Sequence, residues 1–156
     1  MSFYTKYRLY DEGIEIMIPS DIEPAESFVP SQNSWLSKDK KTMINVTRGG
    51  ADLTEENLNN RLKEYREGFC KDVSHFDCKK VGRRCINSKS FGEIQYLSRV
   101  TGYCFYNIFM LGSYRGRELI VTIQCMESNW TEKEPMLKYV ADSIRVLKTQ
   151  GAALTE

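Results

Sequence analysis

Residues 103–111 restrict the fold more than any other stretch. Read as a strand, they put Phe105, Phe109 and Leu111 on one side and Cys104, Tyr106, Ile108 and Met110 on the other. A strand with one wet face carries polar residues at every second position, so a strand apolar on both sides must be covered above and below. Two other segments have the long helical periodicity that could supply the cover. Leu58, Leu62, Tyr65 and Phe69 fall on one stripe, opposite Asn59, Asn60, Lys63, Glu64 and Glu67, and Leu137, Val140, Ile144 and Leu147 form a second stripe.

Turn formers divide the rest. Asp11-Glu12-Gly13 separates weak alternation at 3–9 from clear alternation at 13–18, where Ile14, Ile16 and Ile18 share a face; this is a hairpin, ended by Pro19. Residues 20–34, with Pro24 and Pro30, read as a loop, and 42–47 as a strand closed by Arg48-Gly49-Gly50. Thr54 is the expected N-cap of the first helix, with Glu55 and Glu56 in its first turn and Leu53 stapled onto Leu58. Strands at 81–86, 91–100, 103–111 and 118–126 are joined by short turns, which makes them an antiparallel meander. Thr131-x-x-Glu134 reads as a capping box for the second helix, with Pro135 tolerated near its first turn. The expected architecture is α+β, an antiparallel sheet of about six to seven strands sandwiched between two α-helices. Residues 1–148 form one domain in this reading and 149–156 a flexible C-terminal tail.

Charge and motif content exclude several functions. Lys and Arg total 22 against 21 Asp and Glu, so a formal net charge of +1 gives no global attraction to nucleic acid or to an anionic membrane. No apolar run approaches a membrane span, and MSFYTKYRLYDEG has no hydrophobic leader core, so a cytoplasmic protein is expected. The five cysteines are an odd number, two of them mid-strand, which suits a reducing compartment.

His75 is the only histidine, which excludes a multi-histidine metal site within one chain. Cys70, His75, Cys78 and Cys85 are spaced C-x4-H-x2-C-x6-C, unlike the common zinc patterns, and no metal or cofactor is expected. Cys70 sits at the end of the first helix, where the dipole opposes a thiolate. Glycine-rich phosphate loops are missing, and no catalytic residue is assigned.

One feature does point to an activity. From 11 to 26 the charged residues are all acidic: Asp11, Glu12, Glu15, Asp21, Glu23 and Glu26. From 61 to 89, Arg61, Lys63, Arg66, Lys71, Lys79, Lys80, Arg83, Arg84 and Lys89 outnumber Glu64, Glu67, Asp72 and Asp77. Segregated charge on a near-neutral chain suits the steering of a charged protein partner; the alternative is two solvated surfaces, or two segments that face each other in the fold. Candidate contact residues are Lys79, Lys80, Arg83 and Arg84 on one side, Asp21 and Glu23 on the other, and Trp35, placed in a polar loop.

Three segments carry a family resemblance: Gly-x-x-x-x-Ile-Pro at 13–19, the helix at 54–69, and an ending in which Leu-Ile-Val-Thr-Ile at 119–123 leads to Trp130, a helix and Asp-Ser-Ile-Arg-Val at 142–146. Together with the element order, they resemble the PsbP-like fold shared by the photosystem protein PsbP, the Ran-binding Mog protein and bacterial DcrB-type domains. The resemblance brings no catalytic signature and implies a non-enzymatic domain used for protein contacts. The expected function is therefore a protein-interaction module, with a bacterial immunity or accessory protein as its specific form. Such a module binds a protein partner but neither nucleic acid nor membrane, and is a monomer or weak homodimer. The alternative is a small hydrolase or ligand-binding protein with a pocket between helix and sheet.

Overall fold

The computed structural model describes residues 3–147, so the tail expected at 149–156 lies outside the described residues. In chain order the elements are β1 (Tyr4–Leu9), β2 (Ile14–Pro19), β3 (Ile22–Ala25), β4 (Gln32–Ser37), β5 (Met43–Asp52), α1 (Leu58–Asp72), β6 (Asp77–Ile86), β7 (Lys89–Val100), β8 (Tyr103–Tyr114), β9 (Arg117–Met126), α2 (Trp130–Ser143) and β10 (Arg145–Val146). They form a seven-stranded antiparallel sheet ordered β3-β4-β5-β9-β8-β7-β6 and a small sheet ordered β1-β2-β10. The α+β sandwich and the β6–β9 meander expected from the sequence are both present.

Each side of β8 faces its own core. Phe109 and Leu111 pack with Leu53, Leu58, Leu62 and Ile94 beneath α1, joined by Tyr65 and Phe69. Ile108 and Met110 pack with Ile14, Ile16, Val46, Leu137 and Val140 beneath α2 and the small sheet. Each fully buried leucine here contributes about 1.5–3 kcal/mol of transfer free energy. The cover is unequal, however. On the α1 side of β4, β5 and β9 a polar ladder replaces the helix: Ser34 Oγ donates to Asn45 Oδ1 (2.6 Å), and Asn45 Nδ2 donates to Thr122 Oγ1 (3.1 Å).

The structure corrects several local expectations. The loop at 20–34 contains β3 and the first half of its partner β4, whose residues Gln-Asn-Ser-Trp-Leu-Ser carry no apolar alternation because the ladder occupies one face. Trp35 is consequently a core residue, 2% exposed and edge-on to Tyr7, not a side chain in a polar loop. Thr54 does not cap α1: its N–H donates to Asn57 Oδ1 (2.7 Å) and the four residues close as a turn, with Asn57 at the N-cap and Glu55 and Glu56 ahead of the helix. Helix α2 begins at Trp130, without a side-chain cap from Thr131, and continues through Pro135. It stops at Ser143, whose hydroxyl donates to Val140 O (2.7 Å) and accepts from Met17 N–H (3.0 Å). Ile144 is buried beyond the helix end, and the chain then extends as β10 against β2.

Two buried glutamates fasten the helices. Glu118 of β9 accepts from Arg61 Nη2 (2.8 Å) and from Tyr65 Oη (3.0 Å), both on α1. Gly49 makes room for it, since a side chain there would collide with the carboxylate. On the opposite face Glu93 of β7 accepts from Arg84 Nη2 (2.6 Å), and Arg84 Nη1 reaches Asp142 of α2 (2.7 Å). The β1–β2 connection is also held from outside: Tyr10, Asp11 and Glu12 all have left-handed φ (55°, 58° and 64°), and the Tyr10 hydroxyl donates to Ser31 O (2.6 Å) and Val46 O (3.0 Å).

Close packing beneath β8 predicts the cost of one methyl group. A Cβ at Gly112 would run into the Phe91 ring, which is 1% exposed. Gly112→Ala should lower stability by roughly 1–3 kcal/mol, and adding Phe91→Leu should cost less than the two separate losses together, as read by urea unfolding. A second prediction concerns Tyr65. Burial first, and then the Glu118 carboxylate, push its phenol up to about 12 from 10.0. The folded state holds this proton more tightly than the unfolded one, so the stabilisation is complete below the unfolded value and is lost as pH rises toward the folded one. Tyr65→Phe should narrow the difference between unfolding midpoints measured near neutrality and at about pH 11.

Candidate protein-interaction surface

The strand order turns the charge asymmetry of the sequence into two opposite edges. Short, acidic β3 lies at one end of the large sheet and basic β6 at the other. Asp21 and Glu23 are exposed at the β3 edge, which Pro24 interrupts as a hydrogen-bonding template. Glu15, counted with them in the sequence, is 8% exposed and pairs with Lys6 (3.9 Å) and Arg8 (3.6 Å). At the other end β6 is ten residues long and pairs within the sheet only with β7, the register shifting between Cys78 and Lys80. Its outer row of backbone groups therefore has no sheet partner among the described residues.

The four basic residues singled out on β6 are each tied to a partner within the chain. Lys79 pairs with Asp77 (2.9 Å), and Lys80 lies 3.5 Å from Glu93. Arg83, directed toward α1, donates to Asn59 Oδ1 (2.7 Å) and pairs with Glu55 (3.3 Å). Arg84 is 12% exposed and is held between Glu93 and Asp142. Burial disfavours its charge, but hydrogen bonds to these two carboxylates outweigh that penalty and raise its pKa. Glu93 itself is fully buried; Oε1 lacks a hydrogen bond, with the Lys80 ammonium as its nearest cation at 3.5 Å. Arg84 thus serves the core, and Lys80 is drawn toward it.

Alongside β6 runs a groove of about 220 Å³ between the strand and α1, lined by Asn59, Leu62, Lys63, Arg66, Val81 and Arg83. Val81 is 41% exposed. Lys63 and Arg66 are exposed one turn apart on α1, and no carboxylate of the described residues pairs with either. A basic rim, an exposed apolar floor and an unpaired strand edge therefore adjoin one another. The sequence placed Lys63 and Arg66 in the basic segment but could not distinguish them from paired residues such as Arg83, because the distinction depends on which cations the fold brings to a carboxylate.

Residues with nucleophilic or metal-binding chemistry are dispersed. Cys70 is exposed near the end of α1, His75 is exposed in the following turn, and Cys78 and Cys85 lie toward opposite ends of β6. Burial pushes the Cys125 thiol up to about 11. Among the described residues no group of three His, Cys, Asp or Glu side chains is placed to hold a metal ion. Trp35 contributes its ring to the core, with a buried Nε1 that has no hydrogen-bond partner.

No model of a known protein family matches the chain, and no curated protein sequence does either. Solved structures do match. Cyanobacterial PsbP (CyanoP) from Synechocystis sp. PCC 6803 superposes with a TM-score of 0.71 at 10% identity, over 94% of each chain. PA94 from Pseudomonas aeruginosa, a protein of unknown function described as a putative regulator, gives 0.63 at 16% identity, over 94% of this chain and 99% of that one. The Ran-binding protein Mog1p from Saccharomyces cerevisiae gives 0.60 at 11% identity, over 96% and 98%. At such identities the likeness carries the architecture and not the activity. The chain has the PsbP-like fold.

Proposed function

We propose that this protein is a non-enzymatic interaction module that receives an acidic, extended segment of a partner protein along β6 and the adjoining α1 groove. The observation carrying this reading is the coincidence of the unpaired β6 edge with Lys63 and Arg66, the cations of that rim without an internal carboxylate. An extended segment adding to β6 would gain main-chain hydrogen bonds, set an apolar side chain over Val81 and bring carboxylates to the rim. Lysines on a long edge strand also discourage indiscriminate pairing, so the same charges that deter a neutral strand select an acidic one.

Dispersal of the cysteines and the histidine supports a non-catalytic role, as does the description of one structural neighbour as a Ran-binding protein. The narrower form of the proposal, a cytoplasmic bacterial accessory or immunity protein, draws on the bacterial sources of CyanoP and PA94. Among the described residues no helix is long and apolar enough to cross a membrane. Asp21 and Glu23, at the far edge, would repel the same acidic segment and so favour approach at β6.

Affinity capture from native lysate, followed by quantitative binding of the recovered partner, tests the proposal. Lys63→Glu with Arg66→Glu should weaken binding by about tenfold or more and leave the unfolding midpoint nearly unchanged, because both side chains are exposed and unpaired. Association should also weaken as salt rises. A captured partner that binds the double variant as tightly as the unaltered protein would place the contact elsewhere.

A further inference from the structure

A second cationic site lies on the opposite face of the sheet, at the end where β8 turns into β9. The turn is Arg115-Gly116, with both residues left-handed (φ 51° and 76°). Asn, Asp or Gly suits the first position of such a turn better than arginine. The Arg115 guanidinium lies over the Tyr114 ring (5.1 Å to its centre), and Arg48 of β5 lies over the same ring (4.6 Å). Arg48 Nη1 also donates to Tyr114 O (2.6 Å), while Arg117 Nε and Nη2 donate to Gly49 O (3.3 and 3.0 Å). These contacts orient the side chains without neutralising them, since neither a carbonyl oxygen nor an aromatic ring carries a formal charge. None of the three arginines forms an ion pair with a carboxylate of the described residues, although Asp52 is the cross-strand neighbour of Arg117. Burial and then the proximity of Arg117 lower the pKa of Arg48, as expected of a cation held among cations.

We propose that Arg48, Arg115 and Arg117 form a recognition site for a phosphorylated side chain of a partner protein. A single carboxylate brings one negative charge, whereas a phosphate monoester brings close to two and presents three acceptor oxygens to the planar guanidinium forks. Orientation by backbone carbonyls leaves donors on all three residues unused, and the Arg115 fork makes no hydrogen bond to the described protein. The site is an open surface at the end of the sheet, which suits a group presented by a larger molecule.

The β3–β4 loop supplies a second contact. Its Phe28 is 96% exposed and its Val29 is 49% exposed. The loop is tied to this end of the sheet by Ser31 O, which accepts from Arg48 N–H (3.2 Å) and from the Tyr10 hydroxyl (2.6 Å). An apolar residue flanking the phosphorylated one can therefore pack on Phe28 while the phosphate sits among the arginines. The site is independent of the β6 groove, which lies under the other helix, so its failure and that of the groove are read by different variants.

The test uses three probes with the full chain: inorganic phosphate, a phosphotyrosine peptide with flanking leucines, and the same peptide without its phosphate. Binding is followed by fluorescence polarisation and by the Nε–Hε resonances of the arginines. The phosphopeptide should bind about tenfold or more tightly than either other probe and should shift all three arginine resonances. Arg115→Asn, which suits the left-handed turn and removes only the guanidinium, should reduce that affinity by about tenfold, as should Arg48→Gln. Phe28→Ala should weaken the peptide and leave inorganic phosphate unaffected. Equal binding of the two peptides, unmoved arginine resonances, or an Arg115→Asn variant that binds as well as the unaltered protein would overturn the site. Inorganic phosphate binding as tightly as the phosphopeptide would overturn the assignment to a partner's side chain.

Discussion

Glu93 and Glu118 set the terms for the rest of the molecule. A carboxylate removed from water is costly without a matched cation, and each of these reaches an arginine before it reaches solvent. They lie on opposite faces of the sheet and their arginines connect to different elements, α1 through Arg61 and α2 through Arg84 and Asp142. The apolar faces of β8 supply the free energy for covering the sheet, but they are largely indifferent to the angle at which a helix lies on them. A bonded carboxylate discriminates by direction, so each ion pair fixes the position of its helix over the hydrophobic layer.

That arrangement also determines which charges remain for other molecules. Arg61 and Arg84 are committed to buried glutamates, Arg83 to Glu55 and Asn59, and Lys79 to Asp77. The cations without internal carboxylates include two clusters on opposite faces, Lys63 with Arg66 beside β6, and Arg48 with Arg115 and Arg117 at the β8–β9 turn. A near-neutral protein can in this way hold two local positive fields, because Glu93 and Glu118 are buried, Glu55, Asp77 and Asp142 are taken up in ion pairs, and Asp21 and Glu23 lie at the far β3 edge.

The sequence disclosed the layers better than their edges. Alternation in β8 is apolar on both sides, and the stripes of α1 and α2 have helical spacing, so two helices over a sheet followed from periodicity alone. Strand β4 was concealed because Ser34 and Asn45 satisfy one another across the strands and do not seek apolar cover, leaving a pattern that reads as a loop. Trp35 was misplaced for the same reason: its polar neighbours face the ladder while its ring enters the core. The site was only partly legible. Charge segregation along the chain was visible, but pairing is a property of the fold, and Arg83 and Arg66 look alike until Glu55 and Asn59 are found beside one of them. Glu93 and Glu118 carried no signal at all, since nothing in a single sequence marks which carboxylate a helix will cover.

Strand β10 has a mechanical consequence. It and β1 flank β2 and run in the same direction, β1 starting opposite Pro19 and β10 finishing opposite Ile14. Tension applied at the two ends of the domain therefore pulls the outer strands along their axes in opposite senses. Their hydrogen bonds to β2 are loaded side by side in shear, and they resist together where an unzipping geometry would break them one at a time.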